Sequence, residues 1–458
     1  MKQKGFAFPE DNEWQHDFEA HFEYNETDDQ LRCINEIKND MEREAPMDRL
    51  LCGDVGYGKT EVALRAVMKC ILDGKRAAIL VPTTVLAQQH YATAVSRFRD
   101  FPVKIEVLSR FTPAREQKRI LEAAKNGGVD LLIGTHALIE DRVQFSNLGF
   151  VVIDEQHRFG VEQRARLWTK NEQPPHILVM TATPIPRTLA MTLYGDLDVS
   201  VIDELPPGRQ PIRTVHYTDA ARLRLFGFMR QEIKKGRQIY VVYPLIKESE
   251  TMDYKDLQDG YEAISRDFPL PEYVTTICHG KMKPEDKEES MRQFKSGEAN
   301  IMVATSVIEV GVDVPNATVM VIESAERFGL SQLHQLRGRV GRGSQQSYCI
   351  LMSGEKLSKE ARLRLEAMCE TNDGFRLAEL DLKLRGAGDV NGTLQSGMAF
   401  DLKIANPTLD SQILTVTREA AAEVLTADPT LTQNGHEGLR ELRKRYSGRE
   451  EIDFSQIS

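Results

Sequence analysis

The residues from Gly53 to Thr60, which read GDVGYGKT, could bind the phosphates of a nucleotide because they match GxxxxGK[ST] at every fixed position. In such a loop, successive backbone N–H groups converge on phosphate oxygens, and the next helix adds the positive end of its dipole. We expect Lys59 to reach the outer phosphates and Thr60 to offer its hydroxyl to Mg²⁺. The predicted nucleotide-binding segment comprises Gly53, Asp54, Val55, Gly56, Tyr57, Gly58, Lys59 and Thr60.

An acidic pair, Asp154 and Glu155, follows the apolar run FVVI and begins the sequence DEQH. Two carboxylates at the end of a strand near a phosphate loop can divide two tasks. Asp154 is predicted to hold Mg²⁺, directly or through water, and Glu155 to orient and deprotonate the attacking water. The alternative, in which the pair only caps a helix, is disfavoured because the phosphate loop and the order of the strands agree with the catalytic interpretation.

Several arginines in the sequence QLRGRVGR lie far along the chain from the phosphate loop. A planar guanidinium keeps its charge, and when aimed at a γ-phosphate it stabilises the charge that spreads over that group in the transition state. The interleaved glycines indicate a close backbone approach across a cleft. The alternative is a solvated helix face or a grip on nucleic acid. The residues assigned to this second half of the nucleotide site are Gln335, Arg337, Arg339 and Arg342.

Small hydroxyl side chains follow several apolar runs, in the sequences VPTTVLAQQH, GTHAL and TATPIPRT. Hydroxyls next to helix starts suit the gripping of a sugar-phosphate backbone without readout of the bases. Each cluster alone is more simply a turn with a capping threonine, whereas their joint occurrence favours contact with DNA. The residues predicted to contact DNA are Thr83, Thr135, His136, Thr181 and Thr183, together with Thr305 in the later sequence VATSVIEVGVDVP.

Short apolar runs alternate with longer helical patterns, which predicts parallel sheets covered on both faces. In such a sheet the ligand site lies beyond the carboxyl ends of the strands, where the polar clusters are found. The prolines and glycine of DELPPGRQP, residues 203–211, predict a linker between two lobes. The predicted strands are 77–82, 103–108, 130–135, 150–155 and 176–183 before the linker, and 237–246, 275–280, 300–305, 318–323 and 347–352 after it.

Thr27 or Asp28 could cap a helix whose apolar positions recur at helical spacing. Gln30, just inside that helix, could present its amide to an adenine edge, which offers one donor and one acceptor side by side. The alternative is an exposed glutamine on the helix surface.

The chain has 458 residues, of which 41% are hydrophobic, and is long enough for about two to three domains. It shows no run of about 18 uncharged apolar residues that could span a bilayer and no apolar core of a signal peptide, so we expect a cytoplasmic protein. The six cysteines lack metal-like pairing and are expected to be reduced packing residues. A net charge of −10 argues against a uniformly basic coat but is compatible with a local DNA groove.

In this order and spacing, GDVGYGKT, DEQH, TAT, VATSVIEVGVDVP and QLRGRVGR resemble the motifs of superfamily 2 helicases and translocases. Within that superfamily the chain is similar to the RecG and Mfd branch of double-stranded DNA translocases. Residues 139–430 are closer to RecG and residues 1–138 closer to Mfd. The resemblance implies an α/β fold of two RecA-like parallel-sheet lobes (a P-loop NTPase), ATP and Mg²⁺ as cofactors, and DNA as partner.

The stretch from Thr371 to Leu402 resembles the translocation motif of this branch, a helical hairpin followed by a loop that couples lobe closure to stepping along a duplex. The resemblance implies coupling roles for Arg385 and Gln395. The predicted domain plan is a leader arm in residues 1–20, lobe 1 in 21–205, lobe 2 in 206–355, the hairpin and loop in 356–430, and a tail in 431–458.

We therefore predict an ATP-dependent DNA helicase or translocase that acts on duplex, forked or branched DNA in repair and recombination. The segment before lobe 1 is too short for the wedge of RecG or the polymerase-binding modules of Mfd, so we expect these modules to be missing. The alternatives are an Mfd-like transcription-repair coupling fragment, an RNA helicase, and a non-motor ATP-binding module that docks RNA polymerase or repair proteins. A monomer is expected.

Overall fold

A computed structural model describes residues 4–110, 112–154, 173–182, 197–244, 250–305, 314–341, 343, 345–385 and 411–447. Two parallel β-sheets, one on each side of the proline-rich linker, dominate this part of the chain. The predicted α/β fold with two parallel-sheet lobes is confirmed. None of the helices in these ranges is long and apolar enough to cross a membrane.

Lobe 1 contains a seven-stranded sheet in the order β3-β4-β2-β5-β6-β1-β7, in which every neighbouring pair is parallel. Its strands are almost continuously buried because helices cover both faces. The strands are β1 (Asp48–Gly53), β2 (Arg76–Leu80), β3 (Ile105–Leu108), β4 (Leu131–Gly134), β5 (Leu148–Asp154), β6 (His176–Thr181) and β7 (Asp198–Ile202). The helices are α1 (Glu13–Ala20), α2 (Asp28–Met41), α3 (Lys59–Leu72), α4 (Thr84–Arg97) and α5 (Ala114–Lys125), with a short 3-10 helix at His136–Ile139.

Lobe 2 contains a six-stranded parallel sheet in the order β10-β11-β9-β12-β13-β8. The strands are β8 (Arg213–Thr218), β9 (Gln238–Tyr243), β10 (Thr275–Cys278), β11 (Ile301–Thr305), β12 (Ala317–Ile322) and β13 (Tyr348–Ser353). The helices are α6 (Arg222–Lys234), α7 (Glu250–Asp267), α8 (Pro284–Lys295) and α9 (Leu330–Arg337), with short 3-10 helices at Asp219–Ala221 and Ala325–Arg327.

Every predicted strand is present, with ends that differ by a few residues. Three strands, β1, β7 and β8, were not among the predictions. Each of them carries polar or charged residues that interrupt the apolar pattern, for example DRLLCG in β1 and RTVHYT in β8. β8 lies at the edge of its sheet and is only half-buried, which explains its weak apolar signal.

A helical hairpin follows the last strand of lobe 2. It consists of α10 (Lys359–Glu370) and α11 (Gly374–Arg385), and both helices pack against α9. Leu365, Met368 and Leu377 from the hairpin share one core with leucines of α9. Two further helices, α12 (Ser411–Ala427) and α13 (Glu437–Ser447), complete the described chain. Because the hairpin and α9 share this core, we expect the hairpin to move together with lobe 2.

The amino-terminal segment packs on lobe 1, whereas the sequence suggested a leader arm without a clear period. Asn12 caps α1 by accepting a hydrogen bond from the backbone N–H of Gln15 at 3.0 Å. Phe8 and Phe18 are buried in the lobe 1 core. The Phe18 ring stacks on Phe98 with centroids 4.8 Å apart. Phe8 lies before α1 and Phe18 within it, so their burial does not follow a helical spacing in the sequence.

Substitution of Phe18 tests this packing. We expect Phe18→Ala to reduce the free energy of unfolding of lobe 1 by about 3–5 kcal/mol, because it removes a fully buried ring and leaves a cavity. The measurement is urea denaturation followed by circular dichroism. Trp14→Ala, in the same helix but with a side chain 56% exposed, is the control and should change stability by less than about 1 kcal/mol. Equal effects of the two substitutions would contradict the packing.

Candidate nucleotide site

The phosphate loop connects β1 to α3. Strand β1 is an interior strand of the lobe 1 sheet and lies between β6 and β7. Gly56 and Gly58 adopt φ angles of +80° and +85°, a left-handed conformation that glycine enters without a Cβ clash. Lys59 Nζ folds back and donates to the backbone carbonyls of Gly53 and Asp54, at 2.7 and 2.8 Å. The ammonium therefore lies at the loop, where phosphate oxygens could replace these carbonyls. The backbone and the lysine fit a bound triphosphate.

Gln30 lies against the phosphate loop. It forms a capping box with Thr27, whose backbone N–H donates to Gln30 Oε1 at 3.0 Å. Gln30 Nε2 donates to the carbonyl of Tyr57 at 2.8 Å. Only 6% of Gln30 is exposed, so the alternative of an exposed helix-surface glutamine is wrong. Its contact with an adenine stays a prediction.

Asp154 ends β5, two strands away from β1 across the sheet. His90 Nε2 lies 2.8 Å from Asp154 Oδ2 and holds that carboxylate in place. Among the described residues, no cluster of three or more His, Cys, Asp and Glu side chains could hold a metal ion. A magnesium ion here would depend on Asp154, the Thr60 hydroxyl and phosphate oxygens, a donor set that suits a hard cation. Glu155 lies outside the described residues.

Four of the threonines predicted to contact DNA belong to the described residues, and each lies at or just after the carboxyl end of a strand. Thr83 follows β2 and caps α4 by accepting a hydrogen bond from the backbone N–H of Leu86 at 3.4 Å. Thr135 follows β4, Thr181 ends β6, and Thr305 ends β11.

These threonines differ in their exposure. Thr83 is half-buried, whereas Thr135, Thr181 and Thr305 are buried, and His136 is exposed. Within the described part of the chain, Thr305 Oγ1 makes no hydrogen bond despite its burial. Their contact with DNA stays a prediction. Thr183 and Gln395 lie outside the described residues, and Arg385 is the last residue of α11.

Helix α9 of lobe 2 reaches the phosphate loop of lobe 1. His334 Nε2 lies 2.7 Å from Asp54 Oδ2, and both side chains are buried. Gly338, directly after the helix, is so close to the loop that an added Cβ would lie 3.0 Å from Val55 Cβ. The close backbone approach predicted from the interleaved glycines is therefore present.

Arg337 has a structural position, which corrects its predicted role at the γ-phosphate. Its side chain is 2% exposed, and Nη1 donates to the carbonyls of Met368 and Thr371 at 2.9 and 2.8 Å. Nη2 contacts His334 Nδ1 at 2.9 Å. Burial lowers the pKa of Arg337, and the carbonyls compensate part of the cost of burying a charge. These contacts hold Arg337 against the hairpin.

The predicted roles of Gln335, Arg339 and Arg342 at the nucleotide stay predictions. Gln335 lies on α9, and Arg339 follows Gly338 in the turn that touches the loop. Arg339 is 6% exposed. Arg342 lies outside the described residues.

Three family models match the chain in succession. They are described as DEAD/DEAH box helicase for residues 27–192, helicase conserved C-terminal domain for residues 222–344, and ATP-dependent DNA helicase RecG, domain 3, C-terminal, for residues 371–458. The RecG helicase of Synechocystis is 49% identical over 421 residues, which is 92% of this chain and 50% of that protein. The RecG helicase of Escherichia coli K12 is 45% identical and is covered to 60%.

A solved structure described as RecG bound to a three-way DNA junction is 41% identical, with a TM-score of 0.75 over 90% of this chain and 53% of that one. The resemblance of this chain to RecG-branch superfamily 2 helicases is confirmed. The chain spans about half to three-fifths of the length of these relatives. The closer likeness of residues 1–138 to Mfd stays a prediction.

In this RecG-like core, the linker also reaches the nucleotide site, which sequence reasoning missed. The guanidinium of Arg209 lies so close to the phosphate loop that a Cβ added to Gly56 would overlap its Nη1. At the other end of the linker, the backbone N–H of Asp203 donates to Asp29 Oδ2 at 2.9 Å, and that of Asp29 donates to Glu204 Oε2 at 3.1 Å. The linker is therefore hydrogen-bonded to Asp29, next to Gln30, and its Arg209 lies close to Gly56.

The pKa values of Asp203, in the linker, and Tyr57, in the phosphate loop, are both raised. A hydrogen bond with Asp29 raises the pKa of the Asp203 carboxyl to about 6. Burial raises the pKa of the Tyr57 phenol to about 12, with a smaller contribution from the charge of Asp54.

His90 and His334 are the other site residues that the sequence did not single out. His90 ends the sequence VPTTVLAQQH, and His334 directly precedes QLRGRVGR. Their positions beside predicted motifs were the available signal. A histidine that lies close to a motif carboxylate only in the folded protein cannot be recognised from the sequence, because the two segments are far apart along the chain.

Substitution of Gly58 tests the loop geometry. We expect Gly58→Ala to weaken nucleotide binding about tenfold or more, because the new Cβ would displace Gln30 Nε2 from its hydrogen bond with the Tyr57 carbonyl and because the left-handed backbone disfavours alanine. The measurement is titration with a fluorescent ADP analogue. Gly74→Ala is the matched control, since Gly74 also has a positive φ but open space around it. Equal nucleotide affinity in the two variants would contradict the proposed role of Gly58 in the phosphate loop.

Proposed function

We propose that this chain is the motor part of an ATP-dependent DNA translocase or helicase that acts on duplex or branched DNA in repair and recombination. The observation that carries the proposal is the contact of α9 with the phosphate loop, through His334 with Asp54 and Gly338 with Val55. A nucleotide held by that loop would lie beside an element of each lobe. Its binding and loss could then change how the lobes meet.

Residues of lobe 1 are proposed to bind the phosphates of ATP, to hold Mg²⁺ and to activate the attacking water. The loop amides and Lys59 bind the phosphates, and Gln30 holds the loop from the adenine side. Asp154, kept in place by His90, and Thr60 would hold Mg²⁺, which when bound neutralises charge on the phosphates. Glu155 is proposed to orient and deprotonate the attacking water.

The residues of lobe 2 complete the site. Arg339 and Arg342 are proposed to stabilise charge on the γ-phosphate, with Gln335 beside them. Arg339 sits in the turn after Gly338, which brings its backbone close to the loop. Arg337 instead fixes α9 to the hairpin through the carbonyls of Met368 and Thr371.

DNA is the proposed partner. The relative solved with a three-way DNA junction shares 41% of its residues with this chain over the part compared, which supports the proposal. The strand-end residues Thr83, Thr135, His136, Thr181, Thr183 and Thr305 are proposed to contact the backbone, and Arg385 and Gln395 to couple hairpin and duplex. We further propose a cytoplasmic monomer. RNA polymerase and repair proteins are further proposed partners.

Duplex-stimulated ATP hydrolysis tests the proposed motor. We expect Lys59→Ala and Glu155→Gln each to reduce turnover about 100-fold or more, because one loses the phosphate-binding cation and the other the base. Removal of Mg²⁺ with EDTA should abolish turnover. The measurement is phosphate release with and without forked DNA. Lys125→Ala, at the exposed end of α5, is the control and should behave as the unsubstituted protein.

The outcomes separate the alternatives. Equal stimulation by RNA, with no tracking along duplex DNA, would favour an RNA helicase. Nucleotide binding without hydrolysis would favour a docking module. Unchanged turnover in Lys59→Ala would exclude the ATPase assignment.

A further inference from the structure

The contact between His334 and Asp54 joins the two lobes at the phosphate loop. His334 Nε2 lies 2.7 Å from Asp54 Oδ2. Both residues are well buried, with exposed fractions of 4% and 6%. Water therefore screens this contact poorly, and any shift of α9 against the loop changes its energy.

Arg337 determines which nitrogen of the neutral His334 ring carries the proton. A guanidinium has only donors, so His334 Nδ1, 2.9 Å from Arg337 Nη2, must accept. In the neutral imidazole the proton then resides on Nε2, the atom beside the Asp54 carboxylate. Within the described part of the chain, Nε2 makes no aligned hydrogen bond, so a small rotation or shift would convert this close contact into one.

Asp54 links this contact to the lysine of the loop. Its Oδ1 accepts a hydrogen bond from the backbone N–H of Val55 at 2.6 Å. Its backbone carbonyl accepts from Lys59 Nζ at 2.8 Å, a bond that Lys59 has to exchange for phosphate oxygens. Displacement of the Asp54 side chain by lobe 2 would therefore disturb both the loop backbone and the tether of Lys59.

We propose that His334 is a positioning residue of lobe 2 that holds the phosphate loop through Asp54 and so makes nucleotide affinity depend on the position of α9. The inference rests on the proposed ATP site but not on DNA as the partner. His334 acts on the nucleotide only through Asp54 and the loop.

Two substitutions of His334 separate its two contacts. Asparagine places an oxygen near the position of Nδ1, so His334→Asn keeps an acceptor for Arg337 and loses the group that faces Asp54. Glutamine extends to the position of Nε2, so His334→Gln keeps a donor for Asp54 and loses the acceptor for Arg337. We expect His334→Asn to weaken binding of a fluorescent ADP analogue about fivefold or more, and His334→Gln to change it by less than about twofold.

A double-mutant cycle decides whether Asp54 is the partner. Asp54→Asn should weaken binding about as much as His334→Asn, and the double variant should be no weaker than either single one. In ATP hydrolysis, the loss should appear as a raised KM with a smaller change in kcat. Multiplicative losses in the double variant, unchanged affinity in His334→Asn, or tighter binding would each overturn the proposal.

Two controls make the result specific. His436→Asn removes another histidine that pairs with an aspartate, since His436 Nδ1 lies 2.9 Å from Asp428 Oδ2, and nucleotide affinity should stay unchanged. Thermal unfolding of each variant monitors folding. Because affinity is measured without DNA, the cycle gives its answer even if DNA fails to stimulate hydrolysis, an outcome that would contradict only the proposed motor.

Discussion

The structure depends on one constraint, the convergence of strand carboxyl ends in two parallel sheets. In lobe 1 this convergence places the phosphate loop, which follows β1, and Asp154, the last residue of β5, at the same edge of one sheet. In lobe 2, β12 leads through a 3-10 helix to α9, which contacts that loop. The contact between Asp54 and His334 thus joins residues about 280 positions apart, one directly after a strand of lobe 1 and one on the helix that follows β12 in lobe 2.

The sequence predicted this arrangement where motif and strand coincide. GDVGYGKT follows the apolar pair Leu50 and Leu51, and DEQH follows the predicted strand FVVI, so each motif was expected directly after an apolar run. Buried parallel strands give continuous apolar runs, which made β2, β5, β6, β9, β11 and β12 recognisable. The strands that escaped prediction, β1, β7 and β8, carry polar residues that find partners only in the folded lobe. In β1, for example, Arg49 pairs with Asp40 of α2 at 2.7 Å.

The remaining part of the site depends on contacts that no local pattern encodes. Gln30 was predicted to face adenine, but its burial against Tyr57 depends on the packing of α2 on α3. Arg209 belongs to a linker recognised only by its prolines, yet it lies at Gly56. His334 is one residue away from a recognised motif. Each of these contacts joins segments far apart in the chain, and their pairing is fixed by tertiary packing.

Arg337 shows how an arginine-rich motif can contain both structural and nucleotide-directed residues. A buried guanidinium is tolerated only when acceptors surround it, and the carbonyls at the end of α10 supply them. α9 is consequently bonded to the hairpin through Arg337 and touches the loop through His334, while Arg337 also orients the His334 ring. Since the two residues are three positions apart on one helix, a rotation of α9 must alter both contacts together. The nucleotide loop and the hairpin therefore contact the same helix, so a movement of α9 against the loop also moves the hairpin that is bonded to α9.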